Sequence, residues 1–199
     1  MRFPATGVQL PGDNTITGNV ILTATSVVGG GDDGSIVIGD AGSPGLPASY
    51  LNGDSDASQV ADHLTIKATG VVRFNSAIGN LDPLESLTIT ESTVTPTGFP
   101  KSVFFDQDVV LHGPLVIDTD GDVVFSGKLT IIGGSLTIRG ASLIEFNNTV
   151  NVNGGAILLE GDEINLKGSS TLKSTGGVLT LRSTTLNLGM EIGSPAGVD

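Results

Sequence analysis

This chain of 199 residues contains no cysteine and no tryptophan, and it has only one tyrosine and seven phenylalanines. Without cysteine there can be no disulfide, no thiolate zinc site and no cysteine nucleophile. Aromatic residues make up 4% of the chain, whereas hydrophobic residues as a whole make up 38%. Any core must therefore be built mainly from aliphatic side chains.

Basic residues are also scarce, since nine Lys and Arg stand against 21 Asp and Glu and the formal net charge is −12. Nucleic acids and anionic membranes both favour clustered basic side chains. No apolar run approaches the roughly 18 residues of a membrane helix. The N-terminal residues lack the apolar segment of a signal peptide. We therefore expect neither nucleic-acid binding nor membrane insertion.

The chain is rich in glycine, with 29 residues, and a short apolar–x–apolar motif returns along it about every 21 residues. Copies of the motif begin at Leu64, Leu87, Leu115, Leu136, Ile157 and Leu179. A fixed period of this size is typical of repeat architectures, in which each unit must be covered by the next to bury its apolar side.

Each period divides into three steps of roughly seven residues. Apolar residues at i and i+2, which lie on one side of a strand, recur as Leu115/Ile117, Val123/Phe125, Leu129/Ile131, Leu136/Ile138, Ile144/Phe146 and Val150/Val152. Turn-forming Gly, Asn, Asp and Ser separate the pairs. A helix would instead need apolar residues at i, i+3 and i+4. The pattern predicts an all-β fold, a right-handed parallel β-helix (β-solenoid) with three short strands per coil.

The pattern favours a single domain. It divides into irregular, loop-rich first coils at 1–63, regular coils at 64–188 and a tail at 189–199, together covering 1–199. Within the irregular part we predict strands at 20–22 and 36–38. The coil beginning at Leu87 is longer than the others, and Gly and Pro are frequent in it and in the first coils. We therefore expect loops near 29–62 and 91–103.

Two columns of residues follow from stacking the periods. The first is an aromatic column inside the coils, predicted at Phe74, Phe104, Phe125 and Phe146. The second is an outward row that alternates in charge, predicted at Asp118, Arg139, Glu160 and Arg182. Opposite charges on neighbouring strands favour pairing and like charges oppose it. The charged row is therefore interpreted as a device that fixes the register of the strands.

The run from Ala61 to Thr90 carries a family resemblance. It contains Leu64-Thr-Ile66, Gly70, Val72-Arg-Phe74, Ile78-Gly79 and Pro83-Leu-Glu-Ser-Leu-Thr-Ile89. This order resembles the repeats of very large secreted bacterial proteins of the filamentous-haemagglutinin type, over about residues 16–90. The resemblance implies an extracellular or cell-surface β-helix that acts as a fibre, a spacer or an adhesive surface. It supplies no functional residues.

Asp118, Asp120 and Asp122 form the one candidate metal site, because they place three carboxylates at alternate positions beside a glycine. Calcium takes six to eight oxygen ligands, often from such loops. No glutamate follows at the EF-hand distance, and Asp and Gly are also ordinary turn formers. We therefore predict no cofactor, with calcium at these three aspartates as the one candidate.

Catalytic motifs are missing from the sequence, so no enzymatic activity is predicted. Asp106 and Asp108 are expected to point the same way from a strand, with Lys101 and Lys128 nearby. They are the nearest approach to the paired carboxylates of a glycosidase. An outward threonine row resembles ice-binding surfaces, but Val116 and Leu158 interrupt it.

The sequence thus predicts a structural or adhesive segment of a bacterial surface or fibre protein. A carbohydrate-binding or polysaccharide-cleaving β-helix stays open as the alternative. The candidate partners are a second copy docked end to end, or glycans and proteins on host or neighbouring cells.

Overall fold

The computed structural model describes residues 8–24, 34–39, 50–53, 61–93 and 97–185. This part of the chain is all-β and contains no helix. Its strands are β1 (Val8–Leu10), β2 (Asn14–Ile16), β3 (Asn19–Ala24), β4 (Ile36–Ile38), β5 (Tyr50–Gly53), β6 (His63–Ala68), β7 (Val71–Phe74), β8 (Ala77–Ile78), β9 (Ser86–Glu91), β10 (Ser102–Phe105), β11 (Val109–Leu111), β12 (Leu115–Asp118), β13 (Asp122–Phe125), β14 (Leu129–Ile131), β15 (Leu136–Phe146), β16 (Val150–Asn153), β17 (Ile157–Leu166), β18 (Leu172–Thr175) and β19 (Leu179–Arg182). The strands predicted at 20–22 and 36–38 are confirmed as β3 and β4.

Each strand pairs with the strand one period away, and every pair between these strands is parallel. Three ladders result. The first ladder is β3, β6, β9, β12, β15, β17 and β19. The second ladder is β1, β4, β7, β10, β13, β15 and β17. The third ladder is β2, β5, β8, β11, β14, β16 and β18.

Two long strands join the first and second ladders into one 12-stranded sheet, while the third ladder forms a separate 7-stranded sheet. β15 and β17 each run through both ladders, and β15 passes the corner at Gly140 with φ of 75°. A positive φ is disfavoured for residues that carry a Cβ. Gly140 therefore lets one strand turn from the first ladder into the second without ending.

The core lies between the ladders and consists of the inward residues of each strand. All twelve members of the six apolar pairs predicted from the sequence are at most 1% exposed. The residues between them, such as Val116, Val124 and Thr130, are half-buried on the outer surface. Alternation with a period of two therefore confirms the strand prediction and its inward register.

An aromatic column runs through the core at Phe74, Phe105, Phe125 and Phe146. Successive ring centroids lie 4.9, 4.5 and 5.2 Å apart, and all three ring pairs are stacked. The prediction of Phe104 in this column is wrong. Strand pairing sets Phe105 beside Phe74 and Phe125, a spacing of 20 residues to Phe125, so Phe104 points outward. The Arg73 guanidinium lies over the Phe104 ring, 5.1 Å from its centroid.

A column of glycines occupies the corner between the third and first ladders, at Gly113, Gly134, Gly155 and Gly177. A Cβ on Gly155 would lie 1.9 Å from the carbonyl oxygen of Gly134, and one on Gly177 would lie 2.1 Å from that of Gly155. Real Cβ atoms do not approach so closely. The backbone of each level therefore rests directly on the level before it, at a spacing that excludes any side chain.

The long segment between Leu87 and Leu115 departs from the period at the described residues 92–93 and 97–99, called the excursion at 92–99 below, and residues 94–96 lie outside the described residues. Ser92 and Gly98 form an antiparallel bridge at its base, with both backbone hydrogen bonds made. The described residues 92–93 and 97–101 thus lie between β9 and β10, within the loop predicted near 91–103. Of the loop predicted near 29–62, the described parts include β4 and β5, and the rest lies outside the described residues, as do residues 189–199 of the predicted tail.

Replacing Phe105 tests the corrected register. Phe105→Ala removes a buried ring from the column and should lower the free energy of unfolding by about 3–5 kcal/mol. Phe104→Ala removes only an outward ring and its contact with Arg73, which should cost about 1 kcal/mol. Chemical denaturation of both variants measures the difference. Equal losses, or a larger loss for Phe104→Ala, would contradict the column as described.

Candidate functional site

The predicted row of alternating charges is present at the end of the first-ladder strands. Arg139 Nε donates to Asp118 Oδ1 at 2.6 Å, and Arg139 Nη2 donates to Asp118 Oδ2 at 3.1 Å. On the next two levels Arg182 lies 3.7 Å from Glu160. The pairing of Asp118 with Arg139 and of Glu160 with Arg182 confirms the sequence prediction.

This row lies on the surface, where solvent limits the energy of each ion pair to about 1 kcal/mol or less. The hydrogen bond from Arg139 to Asp118 raises the pKa of the Arg139 guanidinium, and the nearby charges of Asp118 and Glu160 act in the same direction. Arg139 therefore stays charged at every physiological pH. The two parallel hydrogen bonds from its guanidinium group hold the Asp118 carboxylate in a fixed orientation.

A shallow, open depression of about 410 Å³ lies where this row meets the excursion at 92–99. Its lining comprises Thr90, Glu91, Phe99, Asp118, Thr119, Asp120, Arg139, Gly140 and Glu160. The strand ends of β9 and β12 and the corner of β15 form its floor. The excursion supplies Phe99, whose side chain is 36% exposed.

The lining is acidic, because Glu91, Asp118, Asp120 and Glu160 outnumber Arg139. Glu91 and Asp120 are exposed, so their carboxylates can accept hydrogen bonds from hydroxyl or ammonium groups of a ligand. The exposed Phe99 ring offers a face on which the apolar side of a sugar ring can pack.

Thr119 and Pro100 hold the corner of the depression in place. Thr119 Oγ1 donates to the Pro100 carbonyl oxygen at 2.7 Å, and it accepts from the Gly121 backbone N–H at 3.1 Å. The Asp120 backbone N–H donates to the same Pro100 oxygen at 3.1 Å. This local network ties the end of the excursion to the corner below it. Because Phe99 directly precedes Pro100, this network also positions Phe99. No sequence motif around Phe99 predicted its place in the depression.

The predicted calcium ligands are only partly brought together. Asp118 and Asp120 line the depression, but Asp122 lies in β13 outside that lining. The Asp118 carboxylate already forms an ion pair with Arg139. Within the ranges given above, no three His, Asp or Glu side chains form a group that could hold a metal ion. Calcium at Asp118, Asp120 and Asp122 stays a prediction, and the corner itself is stabilised by hydrogen bonds within the protein.

The carboxylates considered for glycoside hydrolysis lie on a corner and not on a strand, because β10 ends at Phe105. Asp106 accepts two hydrogen bonds from Arg73, at 2.7 and 3.1 Å. Asp108 Oδ1 accepts from the backbone N–H of Lys128 at 2.8 Å. Both carboxylates thus have structural partners on neighbouring levels, and the expectation that they extend from a strand is wrong.

The outward threonine row of the first ladder is in register from level to level. Its members are Ile21, Thr65, Thr88, Val116, Thr137, Leu158 and Thr180. Ile21 is 58% exposed. The row alternates hydroxyl and apolar side chains irregularly, so it does not form the uniform threonine surface that an ice-binding face would require.

Comparisons of this chain with protein-family models, with curated proteins and with solved structures found no match. In the part of the chain that the structure describes, no helix is long and apolar enough to cross a membrane.

Asp162 gives the outer surface one site with a defined pH response. Its Oδ1 accepts hydrogen bonds from the Thr184 hydroxyl, from the Thr185 backbone N–H at 3.0 Å and from the Ser183 hydroxyl at 3.4 Å. These bonds, that of the Thr184 hydroxyl first, lower the pKa of Asp162 below its ordinary value of 3.8. Through these hydrogen bonds, Asp162 fixes the position of residues 183–185, which follow β19.

A lowered folded-state pKa means that this stabilisation is present above pH 3.8 and is lost as the pH falls through the folded-state value. Asp162→Asn should therefore melt at a lower temperature than the wild type at about pH 6, and the difference should shrink as the pH falls below 3.8. Thermal melts across this range measure it. Asp120→Asn, which changes an exposed carboxylate elsewhere, is the control and should show no such trend. A difference for Asp162→Asn that is constant with pH would contradict the assignment.

Proposed function

We propose that this chain is a right-handed parallel β-helix and that it serves as a structural or adhesive segment of a large extracellular protein, on the surface of a bacterium or in a fibre. The observation that carries the proposal is the register of the stack. Seven described strands pair in parallel in each of three ladders, and four phenylalanine rings lie one above another inside.

The architecture follows from how the ladders are connected. Successive strands belong to different ladders, and the chain returns to the same ladder one level further on after about 21 residues. Parallel strands need such crossover connections, and crossovers in proteins are right-handed in almost all cases. Three short strands per coil, with the apolar side of every coil covered by the next, is the arrangement that these pairings support.

The structural role follows from what a stack of this kind provides. Each level contributes the same small set of inward residues, so length can be added without changing the core. The outer surface carries matched charge pairs and half-buried small residues, and the depression beside Phe99 is shallow. The resemblance of Ala61–Thr90 to repeats of the filamentous-haemagglutinin type supports an extracellular setting. Glycans or proteins of a host or neighbouring cell are the partners such a segment would contact.

Labelling intact cells tests the proposed location. Antibodies raised against the purified chain should label unpermeabilised cells of the bacterium that makes it, because a surface or fibre segment is accessible from outside. A cytoplasmic protein of the same cells, which should be labelled only after permeabilisation, is the control. Labelling of the chain that also requires permeabilisation would refute a surface role.

A carbohydrate-binding or polysaccharide-cleaving function is the second candidate, and the depression beside Phe99 is the observation that favours it. We predict that a glycan bound there is lost with Phe99→Ala, because its ring would lose the packing surface. Glycan-array binding measures the effect, and a reducing-sugar assay detects cleavage. Leu81→Ala, at an exposed leucine outside the depression, should bind as the wild type does. Binding unaffected by Phe99→Ala would exclude this site.

A further inference from the structure

The sequence contains two Asn-Gly dipeptides, Asn52-Gly53 and Asn153-Gly154. This dipeptide favours spontaneous deamidation, because glycine has no side chain to keep its backbone nitrogen away from the asparagine Cγ. The nitrogen attacks Cγ, a succinimide ring closes, and ammonia leaves, formed from the side-chain NH2 and the backbone proton. Water then opens the ring to aspartate or isoaspartate, so water is the only co-reactant. Both asparagines lie in the third ladder, in β5 and β16.

The surroundings of Asn52 keep its reacting atoms apart. Its strand, β5, pairs with β2 on one side and with β8 on the other. Gly53 is buried, and its N–H donates to the Asp82 carbonyl oxygen at 2.8 Å. A Cβ on Gly53 would lie 2.9 Å from Asp62 Oδ2. The space around Gly53 is therefore too small for a succinimide ring to form without displacing neighbouring levels.

The surroundings of Asn153 are more open. Asn153 is the last residue of β16, and both it and Gly154 are exposed. Gly154 has φ of 84°, and a Cβ there would meet no atom within 4 Å. Thr175, on the next level, restrains both reacting groups. Its carbonyl oxygen accepts from the Gly154 N–H at 2.7 Å, and its hydroxyl donates to Asn153 Oδ1 at 3.1 Å.

We propose that Asn153 is the site at which the folded chain deamidates and that Thr175 controls the rate. A backbone nitrogen whose hydrogen is bonded to a carbonyl oxygen is not free to attack, and an extended backbone keeps Asn153 Cγ away from it. The contact with Thr175 must therefore open before the ring can close. Local opening costs less at exposed strand ends than in the core. The inference depends on the pairing of β16 with β18 and not on the proposed surface role.

The product changes the corner that follows β16. Aspartate and isoaspartate both add a negative charge, and isoaspartate also adds one atom to the backbone, because the chain then runs through the side chain. Gly155 already rests on Gly134, where a Cβ would lie 1.9 Å from the carbonyl oxygen. The lengthened backbone should therefore lower the melting temperature of the aged chain. Asn153→Asp, which carries the charge without the additional atom, should melt close to the wild type.

Peptide mapping by mass spectrometry tests the site. The full chain is incubated at mildly alkaline pH, where the backbone nitrogen loses its proton more readily, and is sampled over time. The peptide containing Asn153 should gain the mass of an Asn-to-Asp exchange, in aspartate and isoaspartate forms, well before the peptide containing Asn52. In denaturant the two dipeptides should react at similar rates, because the structure that distinguishes them is then absent.

Substitutions at Thr175 test the control of the rate. Thr175→Val removes the hydroxyl but keeps the β-branched shape. It should speed deamidation of Asn153 by about two- to tenfold, which is the effect of losing one hydrogen bond on local opening. Thr175→Ser keeps the hydroxyl and is the matched control, so it should react at close to the wild-type rate.

Three outcomes would overturn the proposal. Reaction of Asn52 as fast as Asn153 in the folded chain would refute the choice of site. An Asn153 that stays intact while the denatured chain reacts would show that the contact with Thr175 does not open. Equal rates for Thr175→Val and the wild type would refute control by the Thr175 hydroxyl. Far-ultraviolet circular dichroism of each variant, expected to be unchanged, distinguishes faster local opening from loss of the stack.

Discussion

The structure depends on one constraint: each strand must pair, residue against equivalent residue, with the parallel strand one level away. A shift of one residue would turn every inward side chain outward, because the side-chain period of a strand is two. The phenylalanine column shows the constraint most directly. Phe105 and Phe125 are 20 residues apart, not 21, yet their rings are stacked at 4.5 Å. The chain adjusts its corners so that the inward residues stay aligned.

The same alignment reaches the corners and the outer surface. Where levels touch at the glycine column, the backbone of Gly155 rests on Gly134 with no space for a Cβ. On the outside, aligned levels bring Asp118 to Arg139 and Glu160 to Arg182. These ion pairs are individually weak, because solvent screens them. We interpret them as favouring the observed register, since a slipped register would place like charges together.

The described depression lies where the chain departs from the period. The regular levels present similar rows of half-buried residues. The excursion at 92–99 breaks that regularity, and its Phe99 lines the same depression as Asp118 and Asp120. A repeating scaffold with local additions can keep its core unchanged while different levels acquire different contacts.

The sequence by itself determined the all-β class, the period, the six apolar pairs and the order of charges, because each of these is a regular spacing that a strand converts directly into a face. Only the tertiary structure decided that Phe105 and not Phe104 enters the core, since corner lengths vary and level-to-level pairing absorbs the difference. Only it could place Phe99 beside Asp120, because an excursion outside the period carries no spacing signal.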